Sequence, residues 1–174
     1  MNHYRLNNGV EIPVLGFGTW KAADGEEAYQ AVLAALKAGY RHIDTAAIYQ
    51  NEESVGRAIK DSGLKREDLF ITTKLWNTHH TYEDAQAALD ESLEKLGLDY
   101  VDLYLIHWPN PKPLRENDAW KVRNAEVWRA MEDMLAAGKV RAIGISNFLP
   151  HHLEALLETA RVIPAVNQIR LAPG

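Results

Sequence analysis

The chain has no cysteine among its 174 residues. That excludes disulfides, thiolate catalysis and any zinc or iron–sulfur centre held by cysteine. It also has no run of basic residues. Acidic side chains outnumber basic ones, 24 to 19, for a formal net charge of −5, which argues against nucleic acid as a partner. No apolar stretch approaches the roughly 20 residues of a membrane span, and no secretory apolar region is read near the start. A membrane partner is therefore not expected, and the cytoplasm is the expected compartment. The pairs His79-His80 and His151-His152 are adjacent, so their side chains diverge, and no metal is expected. The dinucleotide fingerprint G-x-G-x-x-G is missing too. Its nearest match, Gly16-Phe17-Gly18-Thr19-Trp20, lacks the third glycine and leads into a loop, which weakens a Rossmann reading.

What remains is ordinary globular material, 47% apolar and 25% charged. Its length predicts a single domain over residues 1–174, large enough to bury about 70% of its unfolded surface. Asn7-Asn8-Gly9 between two short β-like runs predicts a hairpin, closed by Pro13. Short β-rich runs then alternate with amphipathic helical patterns. The runs are Val14 to Gly16, Arg41 to Thr45, Leu69 to Lys74, Tyr100 to His107, Arg141 to Ser146 and Ala165 to Ile169. Helices are predicted from an Asp24 cap to Gly39, over Glu52 to Ile59, from Thr81 to Gly97, from about Asn124 to Gly138, and after Pro150. Pro109 to Val122 reads as the one long loop. Alternating strands and helices predict a parallel sheet covered by helices. Two architectures fit: an open doubly wound sheet, or a (β/α) barrel of which about six strands are present. A full barrel needs eight strands and roughly 250 residues.

Parallel α/β folds put their chemistry at the C-terminal ends of strands. Asp44, Lys74, His107-Trp108, Ser146-Asn147 and Gln168 stand there. Each alone has a plain explanation: a helix cap, a solvated strand end, a core histidine, turn residues. Together on one rim they describe a proton-handling site. Asp44 would keep Lys74 charged, and a charged lysine would lower the pKa of a nearby phenol. Tyr49, five residues past Asp44, is the candidate phenol and general acid. His107 would donate a hydrogen bond to a carbonyl oxygen. The set lacks a nucleophile or reductant, and a bound hydride donor fits the gap.

Several longer motifs carry a family resemblance. They are Gly16-Phe17-Gly18-Thr19-Trp20, Gly39-Tyr40-Arg41-His42-Ile43-Asp44-Thr45-Ala46 with Tyr49, Lys74-Leu75-Trp76, Asp102-Leu103-Tyr104-Leu105-Ile106-His107-Trp108-Pro109, Gly144-Ile145-Ser146-Asn147-Phe148 and Val166-Asn167-Gln168. In this order they resemble the aldo-keto reductases, nearest the bacterial branch that includes the 2,5-diketo-D-gluconic acid reductases. The resemblance implies a (β/α)8 TIM barrel with an N-terminal β-hairpin capping its bottom, C-terminally incomplete in this chain. It implies a catalytic tetrad of Asp44, Tyr49, Lys74 and His107. It implies NADPH (NADP+) held by Gly18, Thr19, Trp20, Asp44, Ser146, Asn147 and Gln168, and a small carbonyl substrate against Trp20, Tyr49, Trp76, His107 and Trp108. The implied reaction is reduction of aldehydes or ketones to alcohols by an oxidoreductase acting as a monomer. Two other outcomes stay open: a non-catalytic NADPH-binding regulatory module of the same fold, and an inactive fragment of the reductase.

Overall fold

The structure, a computed structural model, describes residues 2–172. The chain opens with an antiparallel pair, β1 (His3–Arg5) and β2 (Glu11–Pro13), in which His3 faces Pro13 and Arg5 faces Glu11. Gly9 takes φ 89° in the connecting turn, a backbone that an L side chain rarely adopts.

Six parallel strands follow: β3 (Gly16–Gly18), β4 (His42–Asp44), β5 (Phe70–Leu75), β6 (Val101–Ile106), β7 (Val140–Ser146) and β8 (Asn167–Gln168). Each pairs with the next in sequence order. Helices α1 (Glu26–Lys37), α2 (Glu52–Asp61), α3 (Tyr82–Leu96), α4 (Ala119–Ala136) and α5 (Pro150–Leu157) fill the five crossovers. Right-handed crossovers between successive neighbours place every helix on the same face. The sheet therefore curls with its other face inward, as a half-barrel.

Two apolar clusters follow from this arrangement. Outward strand residues such as Ile43, Ile71, Tyr104 and Ile143 pack against Val32, Val55, Leu89 and Trp128 of the helices. Inward residues Phe70, Leu103, Leu105 and Ala142 meet Leu6, Val10 and Ile12 of the hairpin. The hairpin thus covers the bottom of the half-barrel, as expected. Asn8 Nδ2 donates to the Arg141 carbonyl at 2.9 Å, and Asn7 Nδ2 to those of Ile163 and Pro164 at 3.3 and 3.2 Å. Asp102 is fully buried at that end. It accepts from Arg66 at 2.6 Å, from the Ile71 N–H at 2.8 Å and from Arg141 at 2.9 Å.

Three boundaries differ from the sequence reading. The first run of the sheet is Gly16–Gly18 rather than 14–16, because the Val14 N–H bonds to the Asn2 carbonyl and belongs to the hairpin. A Cβ on Gly16 would lie 2.7 Å from the His42 ring, so glycine lets β3 close onto β4. Asp24 does not cap α1; Gly25 stands at that position with φ 92°, and Asp24 accepts from Ser54 Oγ at 2.6 Å. The long loop is shorter than expected. It holds two 3-10 turns, Lys112–Leu114 and Glu116–Asp118, and α4 begins at Ala119. Trp120 is buried and packs edge-on against His152, with ring centroids 4.8 Å apart, which extends the helix before Asn124.

Candidate active site

The strand register brings the polar strand ends onto one rim. Gly18 pairs with Asp44, Lys74 with Leu105, and Ser146 with Gln168. Asp44 and Lys74 point inward from neighbouring strands. Lys74 Nζ donates to Asp44 Oδ1 at 2.5 Å and to the Thr45 carbonyl at 2.8 Å. Lys74 is almost wholly buried (1% exposed), which rules out the solvated strand end. Burial draws its pKa below the usual lysine range, opposed by the Asp44 carboxylate.

Tyr49 ends a 3-10 turn, Ala47–Tyr49, directly after β4. Gln50 then takes a left-handed conformation, φ 55°. The turn lays the phenol over the rim, with Lys74 Nζ 5.3 Å from its ring centroid. His107 ends the run of β6 and meets Tyr49 edge-on, centroids 5.9 Å apart, and Trp76 at 5.2 Å. Asp44, Tyr49, Lys74 and His107 are thus brought together.

The electrostatics correct one expectation. Tyr49 is not lowered by Lys74; burial, followed by the Asp44 carboxylate, pushes its pKa up to about 12. The lysine charge is largely offset by the carboxylate it is bonded to. Tyr49 therefore holds its proton throughout the working range. His107 is pushed down to about 4, by burial first and the Lys74 charge second. Its ring is neutral. Its Nδ1 is buried without a partner among the described residues, so a proton there would be an unsatisfied donor. A proton on Nε2 avoids that cost, in a ring that lines the cavity.

That cavity measures about 950 Å³; Trp20, Asp44, Tyr49, Trp76, His107 and Trp108 line it, and it extends to Tyr4, Ile12 and Val14 near the hairpin. Ser146, Asn147 and Gln168 line it too, with Gly18 at the end of β3. Ser146 Oγ donates to the Gln168 carbonyl at 2.8 Å, and Asn147 Nδ2 to the His107 carbonyl at 3.0 Å. Gln168 Nε2 reaches across to Asp44 Oδ2 at 2.8 Å. Among the described residues no donor bonds to the side-chain oxygens of Asn147 and Gln168. These acceptors, beside the Ser146 hydroxyl, suit an amide-bearing ligand, so the chemistry of the donor set fits a nicotinamide carboxamide. Of the expected site residues, Lys74 and Thr19 do not line the cavity: Lys74 lies buried behind Asp44, and Thr19 turns into the interior. It is buried (1% exposed), and its hydroxyl bonds to Thr45 Oγ1 at 3.0 Å.

Sequence reasoning passed over Ile48 and Lys21, which also border the cavity. Lys21 adopts φ 68° and sets its Nζ 4.6 Å from the Trp20 ring. Ile48 was legible in principle, one residue before Tyr49, but Lys21 carries no local signal.

A curled parallel sheet thus carries Asp44, Tyr49, Lys74 and His107 together at its C-terminal rim. The model of the aldo/keto reductase family matches residues 14–173, and the chain belongs to that family. It is 53% identical over 169 residues to a glyoxal reductase of Bacillus subtilis, covering 97% of this chain and 58% of the relative. It is 50% identical over 189 residues to an aldehyde reductase of Saccharomyces cerevisiae, covering 97% and 60%. An aldo/keto reductase structure from Brucella melitensis superposes with TM-score 0.90 at 51% identity, covering 98% of this chain and 63% of that one. A Bombyx mori aldo-keto reductase in complex with NADP gives TM-score 0.87 at 42% identity, covering 98% and 58%. The chain spans about three-fifths of the length of the curated relatives it matches.

Proposed function

We propose that the protein reduces small aldehydes or ketones to alcohols with NADPH. The observation that carries this reading is the convergence of Tyr49, His107 and Asp44, the last bonded to the buried Lys74, on one cavity with Trp20, Trp76 and Trp108 in its wall. When bound, the reduced dinucleotide supplies the hydride. Ser146, Asn147 and Gln168 would hold its carboxamide, and Gly18, Trp20 and Asp44 would border it. The names of relatives, a glyoxal reductase and an NADP(+)-dependent glycerol 2-dehydrogenase among them, support both substrate class and cofactor.

The rest is done by the chain's own side chains. His107 donates its Nε2–H to the carbonyl oxygen and orients it. Tyr49 holds a proton at its hydroxyl and releases it to that oxygen as negative charge builds there. Lys74, bonded to Asp44, offsets that carboxylate's charge beside the phenol. Trp20, Trp76 and Trp108 offer apolar surface to the rest of the substrate. No feature of the site favours the non-catalytic module, since all four tetrad positions are filled.

Tyr49→Phe tests the reading. It should lower kcat by roughly 10²–10⁴-fold, the usual worth of a general acid, while NADPH affinity by fluorescence titration stays nearly intact. Near wild-type turnover in that variant would remove Tyr49 from the reaction.

A further inference from the structure

The turn that carries Tyr49 is closed at its base by a buried side chain to which the proposed reaction assigns no role. Asn51 directly precedes α2, where an asparagine ordinarily accepts a hydrogen bond from the helix's first turn. Its side chain makes no such bond. It is fully buried (0% exposed) and directs its polar atoms elsewhere. Nδ2 donates to the carbonyls of Thr19 and Ala22, at 3.0 Å each. Oδ1 accepts from Thr45 Oγ1 at 3.2 Å and from Thr19 Oγ1 at 3.5 Å.

Two of the partners, Thr45 and Thr19, lead to the site. The carbonyl of Thr45 accepts from Lys74 Nζ at 2.8 Å. The Thr19 N–H bonds to the Asp44 carbonyl at 3.0 Å, and Trp20 follows it in the chain. Between Thr45 and Asn51 runs the turn that lays Tyr49 over the rim, ending in the left-handed Gln50. One amide thus joins the loop of Trp20, the end of β4 and both ends of the Tyr49 turn. A capping residue that gives up its local bond for contacts with Thr19, Ala22 and Thr45 breaks a local preference, and such breaks concentrate where position matters to function.

We infer that Asn51 is a positioning residue which, through Thr45 and Thr19, sets where the Tyr49 hydroxyl stands relative to Lys74 and His107. The inference rests on the proposed reductase reading, in which Tyr49 gives up the proton.

Two variants separate this role from a purely structural one. Thr45→Val removes one leg of the knot but keeps the carbonyl that holds Lys74, and Asn51→Ala removes every bond the amide makes. In the whole protein, four quantities are read: thermal melting, kcat and KM for a small dicarbonyl, and the ring ¹³Cζ NMR signal of Tyr49. That signal is assigned by its loss in Tyr49→Phe and recorded without cofactor. In folded Thr45→Val the Tyr49 signal should shift and kcat should fall about 10- to 100-fold, with KM within about threefold, since a misplacement near 1 Å costs up to two orders of magnitude. Thr45→Ser should restore both readings. An unmoved signal, or kcat within about twofold of wild type, would overturn the inference, as would activity in Asn51→Ala that falls only with its folded fraction. The NMR reading stands whether or not the wild type turns over carbonyls. Absence of wild-type turnover therefore counts against the proposed function, and an unmoved signal against this inference.

Discussion

At the scale of single residues, the two aromatic members of the tetrad are tuned in opposite directions by the same burial. His107 titrates near 6.5 in an unfolded chain and at about 4 when folded. Between those values the unfolded chain binds more protons, so stability is greatest above 6.5 and declines as pH falls toward 4. Burial lowers His42, His80 and His152 in the same sense. The melting temperature should therefore fall across that window, less steeply in His107→Gln than in the wild type. Identical slopes would mean that His107 is not buried as a neutral ring. Tyr49 makes the complementary prediction. With its pKa at about 12, carbonyl reduction should show no loss of rate between pH 7 and 10 that Tyr49→Phe abolishes. An alkaline limb near neutrality would show that Lys74 does pull the phenol down after all. Sequence reading placed Asp44, Lys74 and His107 on one rim but misjudged Tyr49, because the balance between Lys74 and Asp44 depends on which of them Tyr49 feels unscreened.

At the scale of elements, close approaches decide what local signals leave open. A Cβ on Gly56 would stand 2.3 Å from the Leu96 carbonyl oxygen, so α2 lies against the end of α3 only because that residue has no side chain. Gly56→Ala should cost about 1–3 kcal/mol through overpacking, measured as a lower urea midpoint with an unchanged m-value. A neutral result would show that the helices part easily. At the start of α3, Thr81 and Asp84 form a reciprocal cap, with bonds of 3.1 and 3.3 Å. Thr81→Ala should cost about 1 kcal/mol by the same measurement. That start was readable from the sequence, since a capping pair is contiguous and its hydrogen bonds are local. The cap of α1 was misread because Asp24 found a better partner in Ser54, thirty residues away. Trp120 drew α4 backward by burying itself against His152, a contact that no local window contains.

At the scale of the whole molecule, the six-stranded sheet has β3 at one edge and β8 at the other. Near these edges Leu15, Ile163 and Ile169 are each 60% exposed or more. Unpaired edges with apolar neighbours favour association. Expressed as these 174 residues alone, the chain should self-associate as its concentration rises in sedimentation velocity, and a monomer at tens of micromolar would show the edges to be protected. The alternation of strand and helix, the hairpin, and the polar residues at five of the six strand ends were determined by the sequence alone, because periodicity, turn chemistry and motif spacing are properties of contiguous residues. The curl of the sheet, the buried Lys74–Asp44 pair, the raised phenol, and the redirection of Asn51 and Thr19 into the interior were decided only in three dimensions. Burial and charge balance depend on neighbours far away in the chain, and those neighbours exist only once the strands have paired.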